Sequence, residues 1–89
     1  MTNARTQAFR EEVGHRLRNR RESLGLSQEE VAWAAGVAQG SISHYEQGKT
    51  EIPLSVLIEI CRRFGISPIE IVPSLDTASM DRGSTARAS

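Results

Sequence analysis

The chain has 89 residues, 38% of them apolar, with 11 basic and 11 acidic side chains. This length suits one small domain with a thin core, and the zero net charge taken alone argues weakly against a nucleic-acid partner. One cysteine excludes an internal disulfide, and one cysteine with two histidines excludes a metal cluster. No apolar run is long enough to span a membrane and no signal peptide is visible, so we expect a reduced, cytoplasmic protein without a membrane partner.

The first predicted helix covers about residues 6–24, because apolar side chains recur at the helical period and a glycine follows the last of them. These residues are Phe9, Val13, Leu17 and Leu24, followed by Gly25. Residues 1–26 hold six Arg against three Glu, whereas residues 27–52 hold one Lys against four Glu. The first helix should therefore carry a local positive field, although a solvated face balanced by its own glutamates explains the same residues.

Two short helices are predicted next. Ser27 and Glu30 have the spacing of a capping box, which opens the second helix, and Gly36 ends it. The third helix covers roughly residues 39–47. The side chains that it should bury are chiefly Ile42 and Tyr45.

The fourth helix is predicted to begin after Pro53 and to stop at Gly65. It is apolar around more than half of its circumference. Ser67 and Glu70 repeat the spacing of a capping box, so a short fifth helix is expected, which Pro73 ends.

These elements predict an all-α fold in three segments. Residues 1–8 form an N-terminal arm, residues 9–73 form the folded domain, and residues 74–89 form a tail. The tail has almost no large apolar residue after Leu75 and cannot repay its ordering entropy, so we expect it to be disordered.

The segment that joins the second and third helices has the features of a helix-turn-helix. Ala32 and Ala35 are small enough for two helices to cross closely, and Gly36 can adopt the positive φ of a sharp turn. Val37 and Ile42 then fill the wedge between the helices. One alanine-glycine pair would be weak evidence, but together these requirements are specific.

With these residues the chain resembles the helix-turn-helix regulators of the phage repressor and Cro type, the XRE family. The similarity covers about residues 13–72. The matching residues are Leu17, Arg18 and Arg21, then GLSQEEVA at 25–32, AGV at 35–37, and Ile42, Ser43, Tyr45, Glu46, Gly48 and Pro53. The resemblance implies a compact five-helix lambda-repressor-like domain that binds double-stranded DNA. No cofactor is expected, and the sequence implies no small-molecule effector.

The same resemblance implies that the third helix lies in the major groove. Gln39 then holds the main base-reading position, where its amide can pair with adenine N6 and N7. His44 is the next candidate, Gly40 lets the backbone come close, and Ala38 could touch a thymine methyl group. Gln39 as a generic solvated residue and His44 as a plain surface histidine remain alternatives. Trp33 should pack against a neighbouring helix or the tail, because duplex readers seldom need aromatic stacking.

Phosphate contacts are implied at the edges of the motif. Gln28 starts the second helix, where the side chain and the helix N–H groups would hold a phosphate. Ser43 and Lys49 are further candidates, and Arg18 is a weaker one. Gln28 could also serve only as a capping residue.

Arg21 and Glu46 match an inward-facing ion pair of the family that ties the first helix to the end of the third. The chain departs from the family pattern at Ala38, where Ser or Thr usually caps the recognition helix, a change that costs about 0.5–2 kcal/mol. Glu51 stands in a loop that often carries Lys or Arg. Arg20 falls near the apolar stripe of the first helix and must extend outward to solvent.

The last two predicted helices are more apolar than so small a core can hide. We therefore expect a homodimer that places two recognition helices about 34 Å apart and binds an inverted repeat. The interface candidates are Ile66, Ile69, Val72 and Leu75.

The sequence thus favours a sequence-specific transcription regulator, most simply a repressor that occludes a promoter. The alternative is a helical protein-interaction module, such as an antitoxin, whose apolar C-terminal surface holds a partner protein. An enzyme is not expected, because paired carboxylates, a Ser/His/Asp set and a phosphate loop are not found in a sensible arrangement.

Overall fold

The computed structural model describes residues 4–76 of the chain. This part contains four α-helices, namely α1 (Ala4–Ser23), α2 (Gln28–Ala35), α3 (Gln39–Glu46) and α4 (Leu54–Phe64). Two 3-10 turns follow, Pro68–Glu70 and Pro73–Leu75. The all-α prediction is confirmed, whereas the predicted fifth α-helix is wrong, because the first 3-10 turn occupies its place.

The start and end of α2 follow from local hydrogen bonds. The Ser27 hydroxyl accepts from the Glu30 N–H at 3.0 Å, and the Glu30 carboxylate accepts from the Ser27 N–H at 2.8 Å, which completes the predicted capping box. These bonds, chiefly the one from the Ser27 backbone, lower the pKa of Glu30. Gly36 ends α2 at a φ of 71°, in the left-handed region that favours glycine.

The second capping box does not form. Ser67 accepts from the Ile69 N–H at 3.4 Å, while the Glu70 carboxylate pairs with Arg20 of α1. Glu70 is therefore not available to close the box, and Pro73 follows too soon for a second helical turn to develop. The pairing also gives Arg20 its outward partner.

Helix α1 begins earlier than predicted. Residues 4–8 belong to α1, so the predicted arm of residues 1–8 is wrong in this part, and its first three residues lie outside the described range. Gln7 supports the early start, since its amide donates to Glu11 at 3.0 Å and to the Gly48 carbonyl at 3.3 Å. At the other end, residues 74–76 of the predicted tail lie in or beside the second 3-10 turn, and residues 77–89 lie outside the described range.

The core gathers apolar side chains from all four helices and from the end of the first 3-10 turn. Its members are Val13, Leu17, Val31, Ala32, Ile42, Tyr45, Leu57, Ile60, Cys61, Phe64, Ile71 and Val72. Leu17, Ile42 and Ile60 have no exposed surface, and burying each such side chain contributes roughly 1.5–3 kcal/mol. Burial raises the pKa of the Cys61 thiol, which fits its predicted role as a small core residue.

Helix α1 crosses the end of α3 at a glycine that the sequence analysis did not single out. A Cβ at Gly14 would lie 2.5 Å from the backbone carbonyl oxygens of both Tyr45 and Glu46. The turn after α3 also lies close to α1, because a Cβ at Gly48 would lie 3.0 Å from the Glu11 Cα. Backbone therefore packs directly on backbone where α1 meets the end of α3.

None of the helices between residues 4 and 76 is long and apolar enough to cross a membrane.

Candidate nucleic-acid interface

Helix α3 separates its side chains into two faces. Ile42, Tyr45 and Glu46 are buried. On the other side the side chains of Gln39 and His44 are exposed, as is the backbone at Gly40. The residues predicted to read bases therefore share one exposed face.

The N-terminus of α3 has no side-chain cap. Ala38 is the N-cap residue, with an extended backbone and an exposed methyl group, and no side chain accepts from the first-turn N–H groups. Apart from the adjacent residues and the backbone of α3 itself, a methyl group added at Gly40 would meet no atom of the described residues within 4 Å. The first turn of α3 is consequently small and open to an approaching surface.

Four side chains form a continuous chain of hydrogen bonds behind this turn. Arg21 donates to both carboxylate oxygens of Glu46, at 2.6 Å and 3.1 Å. Gln28 donates to Glu46 at 3.0 Å, and Gln39 donates to the Gln28 carbonyl at 3.2 Å. The chain of bonds thus runs from α1, through the end of α3 and the start of α2, to the first residue of α3.

The inner end of this chain is a buried, bidentate ion pair. The side chains of Arg21 and Glu46 are 11% and 3% exposed, and Arg21 also donates to the Leu26 carbonyl at 2.8 Å. The hydrogen bond to Glu46 raises the pKa of the Arg21 guanidinium despite its burial. The pair joins α1 to α3 and holds a fixed charge next to Gln28.

The residues predicted to contact phosphate differ in their exposure and in the partners that they already have within the protein. The Ser43 hydroxyl accepts from the Gln47 amide at 2.6 Å, and the Lys49 side chain is exposed just beyond α3. Arg18 is exposed on α1, but its guanidinium pairs with Glu22 at 3.1 Å. Gln28 is partly buried and has both ends of its amide engaged.

The expected positive field of α1 is offset by neighbouring carboxylates. Five of its arginines pair with a glutamate within 4 Å, in the pairs Arg10–Glu51, Arg16–Glu12, Arg18–Glu22, Arg20–Glu70 and Arg21–Glu46. Of these glutamates only Glu12 and Glu22 belong to α1 itself, so the alternative of a face balanced by its own glutamates holds in part, and the other three partners come from elsewhere in the fold. The pairing also accounts for Glu51, whose carboxylate faces an arginine of α1.

The residues predicted to form a dimer interface differ in exposure. Val72 is only 7% exposed and packs in the core of its own chain, so its assignment to an interface is corrected. Ile66 is also partly buried against the core, whereas Ile69 and Leu75 are 38% and 44% exposed.

An apolar groove of about 250 Å³ lies beside Leu75 and was not foreseen. Its lining comes from α1, the segment before α4, α4 itself and the end of the described chain. The lining residues are Phe9, Val13, Glu51, Ile52, Leu54, Leu57, Val72 and Leu75. Phe9 and Leu54 are exposed large hydrophobic residues, like Leu75. Sequence analysis missed the groove because these residues are adjacent only in the folded chain.

Trp33 does not pack against a neighbouring helix. It is 89% exposed on α2, next to Glu29, Glu30 and Arg63. Part of the expectation for this residue is therefore wrong, and the part that concerns the tail lies outside the described residues.

A metal site is not formed by the described residues, since no group of three or more His, Cys, Asp or Glu side chains comes together between residues 4 and 76.

Comparison with known proteins places this geometry among small regulators. A family model described as a helix-turn-helix domain matches residues 12–72. The HTH-type transcriptional regulator y4dJ of Sinorhizobium fredii is 33% identical over 68 residues, which cover 76% of this chain and 88% of that protein. Antitoxin PezA of Streptococcus pneumoniae is 30% identical over 60 residues, which cover 67% of this chain but 38% of the antitoxin.

Solved structures agree with these similarities. The restriction-modification controller protein C.AhdI of Aeromonas hydrophila is 30% identical with a TM-score of 0.69, over 72% of this chain and 97% of that chain. The clp gene regulator ClgR of Corynebacterium glutamicum is 33% identical with a TM-score of 0.65, over 74% of this chain and 91% of that chain.

Proposed function

The chain belongs to the helix-turn-helix family of XRE-type DNA-binding transcriptional regulators, and on this premise we propose that it binds a palindromic operator as a homodimer and represses the promoter it covers. The observation that carries the proposal is the division of α3 into a buried face and an exposed face of recognition groups. In such motifs the second helix enters the major groove with its N-terminal residues at the base edges.

Base reading is assigned to the first turn of α3 and to His44. Gln39 has an amide oxygen and one N–H left after its bond to Gln28, a pattern that suits adenine. The open space around Gly40 supports a close approach of the backbone, since the missing side chain serves no packing need within the protein. Ala38 offers a methyl group to thymine, and His44 can donate from its ring.

Phosphate binding is assigned to groups around this face. Ser43 and Lys49 lie on and just beyond α3, and Gln28 retains one amide hydrogen at the start of α2. Arg18 can contribute only by leaving or sharing Glu22. These contacts would set register and orientation on the duplex rather than sequence preference.

Self-association is assigned to the exposed apolar residues Ile69 and Leu75 together with the groove beside Leu75. With zero net charge, one chain gains little from nonspecific attraction to phosphate. Linking two half-site contacts in one dimer raises the effective affinity without new contacts. Dimerisation would therefore supply the affinity for DNA that the net charge does not.

Selection of bound duplexes from a random pool tests this proposal. The wild type should enrich an inverted repeat, and Gln39→Ala should lose preference at one base pair in each half-site, by roughly 1–3 kcal/mol. Gln47→Ala changes the same residue type beyond the other end of α3 and should keep the base preference. If the wild type enriches no sequence, operator binding is refuted.

The similarity to antitoxin PezA supports a second candidate, in which the apolar groove holds a partner protein instead of a second copy. That similarity falls on only 38% of the antitoxin's length. Sedimentation of the purified protein separates the candidates. A homodimer in which a second copy of the chain covers the groove would argue against a different protein as its occupant.

A further inference from the structure

Glu46 is the only charged residue buried among the described residues. Its carboxylate accepts three hydrogen bonds, two from Arg21 and one from Gln28. A carboxylate next to a guanidinium can only accept hydrogen bonds. Whatever side chain faces it from α2 must therefore present a donor.

This requirement fixes the direction of two amides in succession. Gln28 must turn its NH₂ group toward Glu46, so its carbonyl oxygen faces the other way. That oxygen accepts from Gln39 at 3.2 Å, so the NH₂ group of Gln39 must face Gln28. The two ends of a glutamine amide have nearly the same shape, and shape alone would allow either direction at both residues.

We propose that Glu46 is a positioning residue for sequence recognition, which acts through Gln28 to fix the direction of the Gln39 amide. This inference rests on the proposed function, in which Gln39 reads a base. It adds that the buried charge of Glu46, which is linked to Gln39 by two successive hydrogen bonds through Gln28, determines which base Gln39 accepts.

The direction matters because purines differ at the edge that Gln39 would meet. Held in this direction, the Gln39 amide offers one acceptor and one donor, which match the N6 donor and N7 acceptor of adenine. In the opposite direction its two N–H groups would point outward and would match O6 and N7 of guanine, which are both acceptors. The buried ion pair therefore selects adenine over guanine without touching DNA.

A role limited to joining α1 and α3 makes a different prediction. Loss of the link between α1 and α3 would lower the affinity for all duplexes by the same factor. Loss of the fixed amide direction would change the ratio of affinities for two duplexes that differ only at the base pair read by Gln39. The ratio is thus the quantity to measure.

Glu46→Gln is the direct test. The carboxylate oxygen that faces Gln28 also accepts from the Arg21 Nη2 at 3.1 Å, whereas the other oxygen accepts from the Arg21 Nε at the shorter distance of 2.6 Å. The carbonyl of the introduced amide is expected to keep the shorter contact and to release the longer one, so the introduced NH₂ group faces Gln28 and reverses both amides. Competition binding would use the selected duplex and its A·T to G·C variant at that pair. The wild type should prefer adenine by roughly tenfold or more, and the variant should reduce this preference at least about fivefold or reverse it.

Gln28→Leu is the second variant, because it interrupts the chain of bonds and leaves the Arg21–Glu46 pair intact. It should also lose the adenine preference, since the Gln39 amide is then free to turn. Ser43→Ala serves as the matched control, whose affinity for both duplexes should fall by the same factor. If Glu46→Gln and Gln28→Leu both keep the wild-type ratio, the proposal is overturned.

The side-chain amide signals of the free, ¹⁵N-labelled protein test the inference without DNA. Glu46→Gln should shift the NH₂ signals of Gln39, because Gln28 links the two side chains by hydrogen bonds, and unchanged Gln39 signals would overturn the proposal. A wild type that selects no duplex would refute the proposed function, and these signals would still decide whether Glu46 directs Gln39.

Discussion

Two exposed regions of the protein differ in how far their side chains find interaction partners within a single chain. At the start of α3, the Gln39 amide is tied through Gln28 to a buried ion pair. At the groove beside Leu75 the exposed side chains are mainly apolar. The side chains of the polar region are already held in place in the free protein. The apolar region is the kind of surface that another chain would cover.

The largest expected effect comes from breaking the ion pair that organises the polar region. Arg21→Ala leaves the Glu46 carboxylate buried without its charge partner, which should lower the free energy of unfolding by about 3–5 kcal/mol. Urea unfolding followed by circular dichroism measures the loss. Arg18→Ala removes an exposed arginine from the same helix and is the control, with an expected loss of at most about 1 kcal/mol. Equal losses in the two variants would contradict the distinction.

A smaller effect is expected from the backbone contact under α3. Gly14→Ala places a methyl group 2.5 Å from two backbone carbonyl oxygens, and overpacking of this kind costs about 1–3 kcal/mol. Urea unfolding is again the measurement. Gly40→Ala is the matched control, because beyond its own helix the added methyl group meets none of the described residues and should change stability by less than about 1 kcal/mol in either direction.

The apolar region should respond in assembly rather than in stability. Leu75→Ser should shift the protein from dimer to monomer in sedimentation equilibrium, while the free energy of monomer unfolding changes by only about 0.5 kcal/mol, as for other surface substitutions. Trp33→Ser also replaces an exposed apolar residue but lies away from the groove. The assignment of the dimer interface to the groove beside Leu75 would be wrong if Trp33→Ser dissociated the dimer and Leu75→Ser did not.

The smallest expected effect concerns the cap of α2, through pH. Because the pKa of Glu30 is lowered from its ordinary value of 4.5 in the folded protein, its carboxylate binds fewer protons there than in the unfolded chain. Its stabilisation is fully present at neutral pH and is lost as pH falls below 4.5 through the folded-state pKa. Ser27→Ala should flatten the fall of stability over this acidic range, as measured by urea unfolding at several pH values. An unchanged slope would exclude the contribution of the cap.

Local signals in the sequence predicted most of the fold. Ser27 with Glu30 and the glycines Gly36 and Gly65 mark helix ends through contacts within a few residues, and all three ends lie where they were expected. The failure at Ser67 is instructive, because Glu70 bonds to Arg20, 50 positions away in the sequence. A capping pattern cannot reveal a competing partner from another helix.

The exposed face proposed for recognition was predictable in outline, but the contacts that support it were not. The positions of Gln39 and His44 on one face follow from the helical period of α3. The contact of Gly14 with the end of α3 joins residues far apart in the sequence and leaves no periodic trace, since a glycine in α1 has no side chain to count. The burial of Val72 likewise depends on how the segment after α4 packs on the core.

The exposure of Trp33 determines what optical spectroscopy can report. It is the only tryptophan in the chain, and it is almost fully in contact with water in the folded state. Its emission should therefore already resemble that of free indole, so heat or denaturant should move the band very little. A blue shift would instead signal that something has covered α2, which makes the native residue a built-in probe of docking at that helix.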